Sequence, residues 1–517
     1  MGSVAGRLLS YLCLAVSSRF FGNTFLMTTS AHAIPASCSM TPQFLQRLRD
    51  IVGGQRILDA ADELVVYECD GYVIEKSAPD VVVFPQTADD VQRIVQECLR
   101  FRIPFVARGA GTSLAGGSLP VGGGVMIALT KMNRILEINL RDRYAVVEPG
   151  CVNVRLTRAL AGSGFHYAPD PSSQGACTIG GNVATNSGGP HTLKYGVTVN
   201  HVLGVEFVSP EGELVQFGGP CGRGESLDLT GLFVGSEGTF GVVTKVWVRI
   251  TRDPAATRTM LAIFNTVADA TQAISRIIGA GIVPAALEMM DQGIIGALEE
   301  AFHFGFPLDA GAVLLIEVDG LDCVVEPEAG TITELCLAMG AREVRRSRTE
   351  EDRAFLWKCR KQAFGAIGRL APSCCTQDGV VPRTRLPEIL EFIQEMERKH
   401  DLQIVNVFHA GDGNIHPILL FDERDAAQIQ RVMQASEDIL NRCIELGGSV
   451  TGEHGIGVEK ISFMSKLFTE TDLAVMDDVR RVFNPEGLCS PGKLLPTAGG
   501  CGGESGIRIN PARKPAF

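Results

Sequence analysis

The chain has 517 residues, 45% of them hydrophobic, and a formal net charge of −12. That length exceeds one ordinary hydrophobic core and predicts two or three domains, while the acidic balance leaves no basic footprint for nucleic acid. No uninterrupted apolar run approaches the roughly 20 residues that span a bilayer, so no transmembrane segment is expected. The 15 cysteines are scattered, odd in number and without a C-x-x-C pair; this argues against a disulfide framework, a cysteine zinc site or an iron–sulfur cluster, and for a reducing compartment.

Residues 1–40 stand apart. They carry Arg7 and Arg19, no acidic residue, an apolar run from Leu8 to Val16, and Ala31-His-Ala33, which has the small-residue pattern of a cleavage site. A mitochondrial transit peptide, a secretory signal and a start placed upstream of Met27 or Met40 all remain open, so this leader is kept out of the fold.

Residues 43–67 read as helical and loop-like, and Ala78 to Pro85 as a buried strand. Thr87 caps a predicted helix with Asp89 and Asp90 in its first turn and Val91, Ile94, Val95 and Leu99 at helical spacing, giving a βαβ start. The next strand, Ile103 to Ala107, runs into a first glycine tract, Arg108-Gly-Ala-Gly-Thr-Ser-Leu-Ala-Gly-Gly. Gly109 and Gly111 suggest a dinucleotide fold, but Leu114 stands where the third glycine belongs, and a strand, Val125 to Leu129, follows instead of a helix. A different anion cradle is therefore implied, built from successive backbone N–H groups with Thr112 and Ser113 hydroxyls beside them; the alternative is a flexible surface loop.

A second tract, Asp170 to Pro190, is dense in hydroxyls and amides and almost uncharged, which suits close backbone approach to a neutral planar heterocycle. The strand Val202 to Val208 and a third tract, Phe233 to Val246, complete this half. Past residue 256, strand-like runs (Met260 to Phe264, Ala312 to Val318) alternate with helical ones (Ala268 to Ile278, Ile332 to Met339), as in an α+β domain. Another helical stretch, 352–369, carries Trp357-Lys-Cys-Arg360. A long amphipathic helix over 425–446 ends at Gly447-Gly448, a final helix stops before Pro485, and the glycine-rich tail after Pro496 is expected to be disordered.

Between these helices lies Val405-Asn-Val-Phe-His-Ala-Gly-Asp-Gly-Asn-Ile-His-Pro417, a predicted hairpin. With Asp412-Gly413 as a two-residue turn, Gly411 faces Asn414, Ala410 faces Ile415 and His409 faces His416. Opposed residues have Cβ atoms roughly 4.5–5.5 Å apart, close enough for two imidazoles to share a metal ion. The other reading is two unrelated polar residues near a turn.

Together, residues 107–117, 177–186, Gly-Ser-Glu-Gly-Thr-Phe-Gly (235–241), 409–416 and Gly-Glu-His-Gly-Ile-Gly (452–457) resemble flavoproteins of the vanillyl-alcohol-oxidase superfamily. Within it they resemble the FAD-linked catalytic subunits of glycolate oxidases, with D-lactate and D-2-hydroxyglutarate dehydrogenases as relatives. The likeness covers roughly residues 41–496. It implies an α+β protein with a two-subdomain FAD-binding domain (41–252), an α+β cap domain with a metal site (253–482), a return to the FAD domain (483–496) and a disordered tail (497–517).

On the same resemblance, Arg108, Gly109, Ala110, Gly111, Thr112, Ser113, Gly116 and Gly117 would hold the FAD pyrophosphate, and Thr178, Gly181, Asn182, Ala184, Thr185 and Val243 would lie along the flavin. The first tract has no histidine for covalent attachment, so dissociable FAD is implied. His409, His416 and Glu453 resemble a metal set for a divalent ion such as zinc, His454 a catalytic base, and Arg360 the arginine that pairs with the substrate carboxylate. Taken alone, without the resemblance, Arg360 reads as a surface cation on a helix and Glu453-His454 as an ordinary turn pair.

The roles suit the chemistry. Oxidation of a 2-hydroxy acid removes the hydroxyl proton and sends the α-hydrogen to flavin N5 as hydride. A Lewis acid with a nearby imidazole serves the first step, and a guanidinium gripping the carboxylate orients the second. Ile418 and Thr376 replace an asparagine and a lysine of the 2-hydroxyglutarate enzymes, which favours glycolate or D-lactate. Ser490 replaces an asparagine of many relatives and puts the flavin contacts of that segment in question. With no cluster motif here, electrons are expected to leave through another subunit or a soluble acceptor, and the resemblance implies a flavin-like subunit and an iron–sulfur subunit. A cytoplasmic protein, peripheral at the inner membrane through such partners, or a mitochondrial one if the leader is a transit peptide, is the corresponding location. A self-sufficient D-lactate dehydrogenase and a flavin-free zinc hydrolase are the competing functions.

Overall fold

The computed structural model describes residues 40–221 and 227–496; the leader and tail expectations lie outside the described residues. Two main sheets, with a small two-stranded one pairing 165–166 with 251–252, make the first half. The strands Ile57–Leu58, Val81–Val83, Val125–Ala128 and Phe105–Arg108 form a four-stranded sheet in that order. Val81–Val83 and Phe105–Arg108 both run parallel to Val125–Ala128, which lies between them. The helix Ala88–Phe101 begins at Thr87, whose hydroxyl accepts the Asp90 N–H. Its Val91, Ile94 and Val95 pack with Phe44 and Leu48 of the helix Pro42–Val52 against the sheet.

The second sheet is antiparallel, in the order 135–139, 144–147, 242–249, 202–208 and 214–218. Between the sheets' strands run the glycine tracts. The second tract is not wholly loop: Ile179–Thr185 is a short helix, capped by the Thr178 hydroxyl on Gly181 N–H.

The second half is organised on a large sheet whose main path runs 341–346, 256–264, 312–320, 286–291, 403–409, 414–415 and 379–380. Its central strands, 286–291, 312–320 and 403–409, are buried on both faces, which is why they read as nearly continuous apolar runs, whereas the edge strand 341–346 is charged and largely exposed. In Ala256–Phe264, Met260, Ala262 and Phe264 join one core and Leu261 and Ile263 another. Helices Val267–Gly279 and Asp322–Ala338 cover the first face; Gln292–Phe302 and Glu350–Ile367 cover the second. The helix anticipated from Ile332 starts ten residues earlier, with Pro327 inside its N-terminal part.

The chain then returns to its beginning. After the helix Glu470–Phe483, Phe105 N–H donates to Leu488 O at 2.9 Å and Ser490 N–H to Phe105 O at 2.8 Å, adding a short parallel bridge to the first sheet. Among the described residues, no helix is long and apolar enough to cross a membrane.

Candidate active site

The histidine hairpin forms, but with its register two residues from the expected one. Asn406 faces Pro417, Val405 faces Ile418, and His409 faces Asn414 rather than His416. The turn takes four residues, 410–413. Gly413 adopts φ +81°, where a side chain would also strike the Val381 carbonyl, and Asp412 Oδ1 accepts the Asn414 N–H at 3.2 Å, an Asx turn within the longer loop. A shift of two keeps every side chain on its face. His409 and His416 therefore still meet, with ring centroids 5.2 Å apart.

Each imidazole is held from behind. His409 Nδ1 lies 2.8 Å from Glu288 Oε1, and His416 Nδ1 lies 3.2 Å from the Gln377 carbonyl. Their Nε2 atoms converge on Glu453 Oε1, at 3.3 and 3.2 Å, while Glu453 Oε2 is buried with no hydrogen-bond partner among the described residues. Burial alone would depress the His409 pKa, but Glu288 and Glu453 reverse the sign and hold it well above the ordinary value. Burial alone would raise Glu453, and the two histidines hold it well below. These groups favour positive charge between them, and with ligand atoms all within 4.8 Å of one another they could hold a divalent cation.

Glu288, fully buried on the strand Ala286–Asp291, also accepts from Arg360 Nε at 2.7 Å. One carboxylate thus joins the histidine to the arginine, and the charges of His409 and Arg360 overcome burial to keep it ionised. Arg360 is no surface cation: it is 4% exposed, on the helix Glu350–Ile367. That helix is anchored by Glu317, which accepts from Arg353 twice at 2.9 Å and from Trp357 Nε1 at 2.6 Å, and lies 3.4 Å from His191 Nε2.

His454 stacks on His416 with centroids 5.0 Å apart and planes within 8°. Burial pushes its pKa down to about 4 against the pull of Asp378, so the imidazole is neutral near pH 7 and can accept a proton. Its loop is pinned by Asp378 Oδ2, which accepts the N–H groups of Gly452, Glu453 and His454 at 2.8–3.1 Å and the Thr451 hydroxyl at 2.6 Å.

Arg360, His416, Glu453 and His454 form one end of a cavity of about 520 Å³. Most of the rest of its wall comes from the glycine tracts, including residues 109–113 and Gly117, then Thr178, Gly181, Asn182, Ala184, Thr185 and Val243. Three anticipated residues lie behind the wall. Arg108 donates to Cys69 O at 2.8 Å and Ser118 Oγ at 3.1 Å, bracing the tract from beneath, where Gly111 leaves room for its guanidinium. Gly116, at φ +72°, packs against Val458, and His409 sits behind His416 and Glu453.

The tract hydroxyls and amides are largely used internally. Thr178 caps its helix, Thr185 pairs with Ser187 Oγ at 2.9 Å, and Asn182 bonds Asn153 and Ser187. What these tracts offer a cofactor is backbone and shape. Two hydroxyls that sequence reading did not assign to cofactor or substrate, Ser236 and Thr376, line the cavity buried and without hydrogen-bond partners among the described residues. Ile418 is buried opposite Thr376 without reaching the cavity wall, and Ser490 lies behind Gly238. An elongated ligand with a planar ring and a pyrophosphate fits such a wall, which is close to apolar and shaped by glycines that side chains would obstruct.

The description "FAD binding domain" matches residues 79–218, and "FAD linked oxidases, C-terminal domain" matches 253–494. The chain is 42% identical to the glycolate oxidase subunit GlcD of Escherichia coli K12, over 91% of this chain and 94% of that one. The chain belongs to the FAD-linked oxidase family. It is an FAD-dependent oxidoreductase. Within that family it is also 38% identical to GlcD of Bacillus subtilis (88% and 97% covered) and 29% identical to a D-lactate dehydrogenase of Anaerostipes hadrus (88% and 98% covered). Among solved structures, p-cresol methylhydroxylase superposes with a TM-score of 0.74 at 17% identity, covering 87% of this chain and 96% of that one. The 4-ethylphenol oxidase of Gulosibacter chungangensis superposes with a TM-score of 0.72 at 19% identity, covering 88% and 97%. The fold is the α+β vanillyl-alcohol-oxidase type that the motifs resemble.

Proposed function

We propose that this FAD-linked oxidase converts a small 2-hydroxy acid, glycolate in preference to D-lactate, to the 2-oxo acid. The observation that carries the reading is the convergence of Arg360, His454 and the His409/His416/Glu453 group on the end of a cavity otherwise walled by glycine tracts. FAD, when bound along those tracts, supplies the two-electron acceptor. A divalent metal, zinc being the ion most at home with two imidazoles and a carboxylate, would be held by His409, His416 and Glu453 and would act as a Lewis acid toward the substrate hydroxyl.

The chain's own residues do the rest. Arg360 turns one edge of its guanidinium to Glu288, and its remaining donors take the substrate carboxylate, so the same contact that orients the arginine also orients His409. His454, neutral and with Nδ1 unpartnered among the described residues, accepts the hydroxyl proton. Thr376 and Phe364 close this end of the cavity, and among the described residues lining it no second arginine or lysine stands beside Arg360 for a second carboxylate, which favours short monocarboxylates. We assign residues 41–252 to FAD binding, 253–482 to the cap and 483–496 to the return onto the first sheet. Relatives named as glycolate oxidase subunits support electron transfer to a partner subunit; we take the partners to be a flavin-like and an iron–sulfur subunit, with peripheral membrane association through them.

Steady-state dye reduction by the purified chain across small D- and L-2-hydroxy acids tests the reading. Glycolate is expected to be fastest; D-lactate ahead of glycolate would favour the D-lactate dehydrogenase reading that the relatives also support.

A further inference from the structure

The loop Thr451–Gly457 carries Glu453 and His454 but has no helix or strand to hold it. Two carboxylates grip its ends. Asp378 holds the first part from beside the histidine hairpin. Glu237 holds the second: its Oε1 accepts the Ile456 N–H and its Oε2 the Gly457 N–H, both at 2.7 Å.

Glu237 comes from the opposite wall. It sits in the third glycine tract and lines the cavity, 7% exposed, with its own N–H donating to Ala184 O at 2.8 Å. Its backbone is left-handed, φ +51°, between Gly235 and Gly238 that are also left-handed; such a conformation is rare and costly for a side-chain-bearing residue. Gly455, at φ +85°, makes room for the carboxylate, since a Cβ there would lie 2.8 Å from Oε1. We propose that Glu237 is a positioning residue that sets the His454 loop in register with the wall that receives the cofactor. It rests on the function proposed above for His454. Two charge-assisted bonds to consecutive N–H groups demand both carboxylate oxygens, and an amide would present a donor to one of them.

Displacement of a reacting group by about 1 Å costs on the order of 100-fold in rate. Glu237→Gln in the full chain with FAD is therefore expected to lower kcat and the rate of flavin reduction by about 100-fold. KM and FAD per chain should stay as in the wild type, and deuterium uptake should rise in the peptide containing Ile456 and Gly457, with or without FAD. Wild-type reduction rate and uptake would overturn the proposal. So would loss of FAD in proportion to lost rate, which would make Glu237 a cofactor holder. If this variant does not fold, Gly455→Ala probes the same contact from the loop side: the same kcat-against-KM split supports the proposal, and wild-type turnover overturns it. A wild-type chain that no 2-hydroxy acid reduces would refute the proposed function, and the uptake comparison would still decide whether Glu237 holds the loop.

Discussion

The two walls of the cavity are built from different material. One is mostly backbone: glycine tracts whose hydroxyls and amides are largely used within the protein, so that space is the main thing they present. The other is charge: Glu288, Arg360, His409, His416, Asp378, Glu453 and His454 are buried or nearly so, and the charges around them hold Glu288, Asp378 and Glu453 below the ordinary carboxylate range and His409 above the ordinary imidazole value. A cofactor wall built this way should be sensitive to volume, a chemical wall to charge.

The largest expected effect is on the charged wall. His454→Ala should lower turnover by about 10²–10⁴-fold, the usual contribution of a positioned proton acceptor, while visible absorbance shows FAD content unchanged. The converse change tests the other wall. Gly109→Val places a branched side chain against the Thr178 hydroxyl, and most bound FAD should be lost on purification, with the His454 side intact. If Gly109→Val kept its FAD, the contrast between the walls would fail.

Glu288→Gln is expected to affect both stability and binding. Removing one partner of a fully buried charge pair costs about 3 kcal/mol, read as a lower melting temperature. KM should rise because Arg360 loses the group that aims it. The smallest effect concerns the contact between the halves. Burial would lower the His191 pKa, but Asp170 and Glu317 raise it to about 10. A folded-state value above the unfolded one, about 6.5, gives stability that is full below pH 6.5 and lost as pH rises through 10. The melting difference between wild type and His191→Gln should accordingly be widest below pH 6.5 and close toward pH 10.

Much of this was legible in local sequence. Thr87, the run Val202–Val208, the glycine tracts and the helix ending at Gly447 are each marked by residues within a few positions. The hairpin was legible in its faces but not its register, because Gly413 answers to the Val381 carbonyl, which no local pattern reveals. Glu288, Asp378 and Glu237 were not assigned roles for the same reason. Glu288 meets Arg360 across 72 residues and His409 across 121. The available signal was its place as the lone charge within Ala285–Met290, a strand whose apolar neighbours implied burial on both faces.

The central claim, that the charged wall does its chemistry with a metal while the backbone wall holds FAD alone, is tested most directly by anaerobic mixing with glycolate before and after chelation. The untreated chain should show rapid bleaching of the flavin absorbance. The chelated chain should keep its FAD spectrum and lose the bleaching, with metal restoring it. Bleaching at an undiminished rate after complete removal of bound metal would contradict the account.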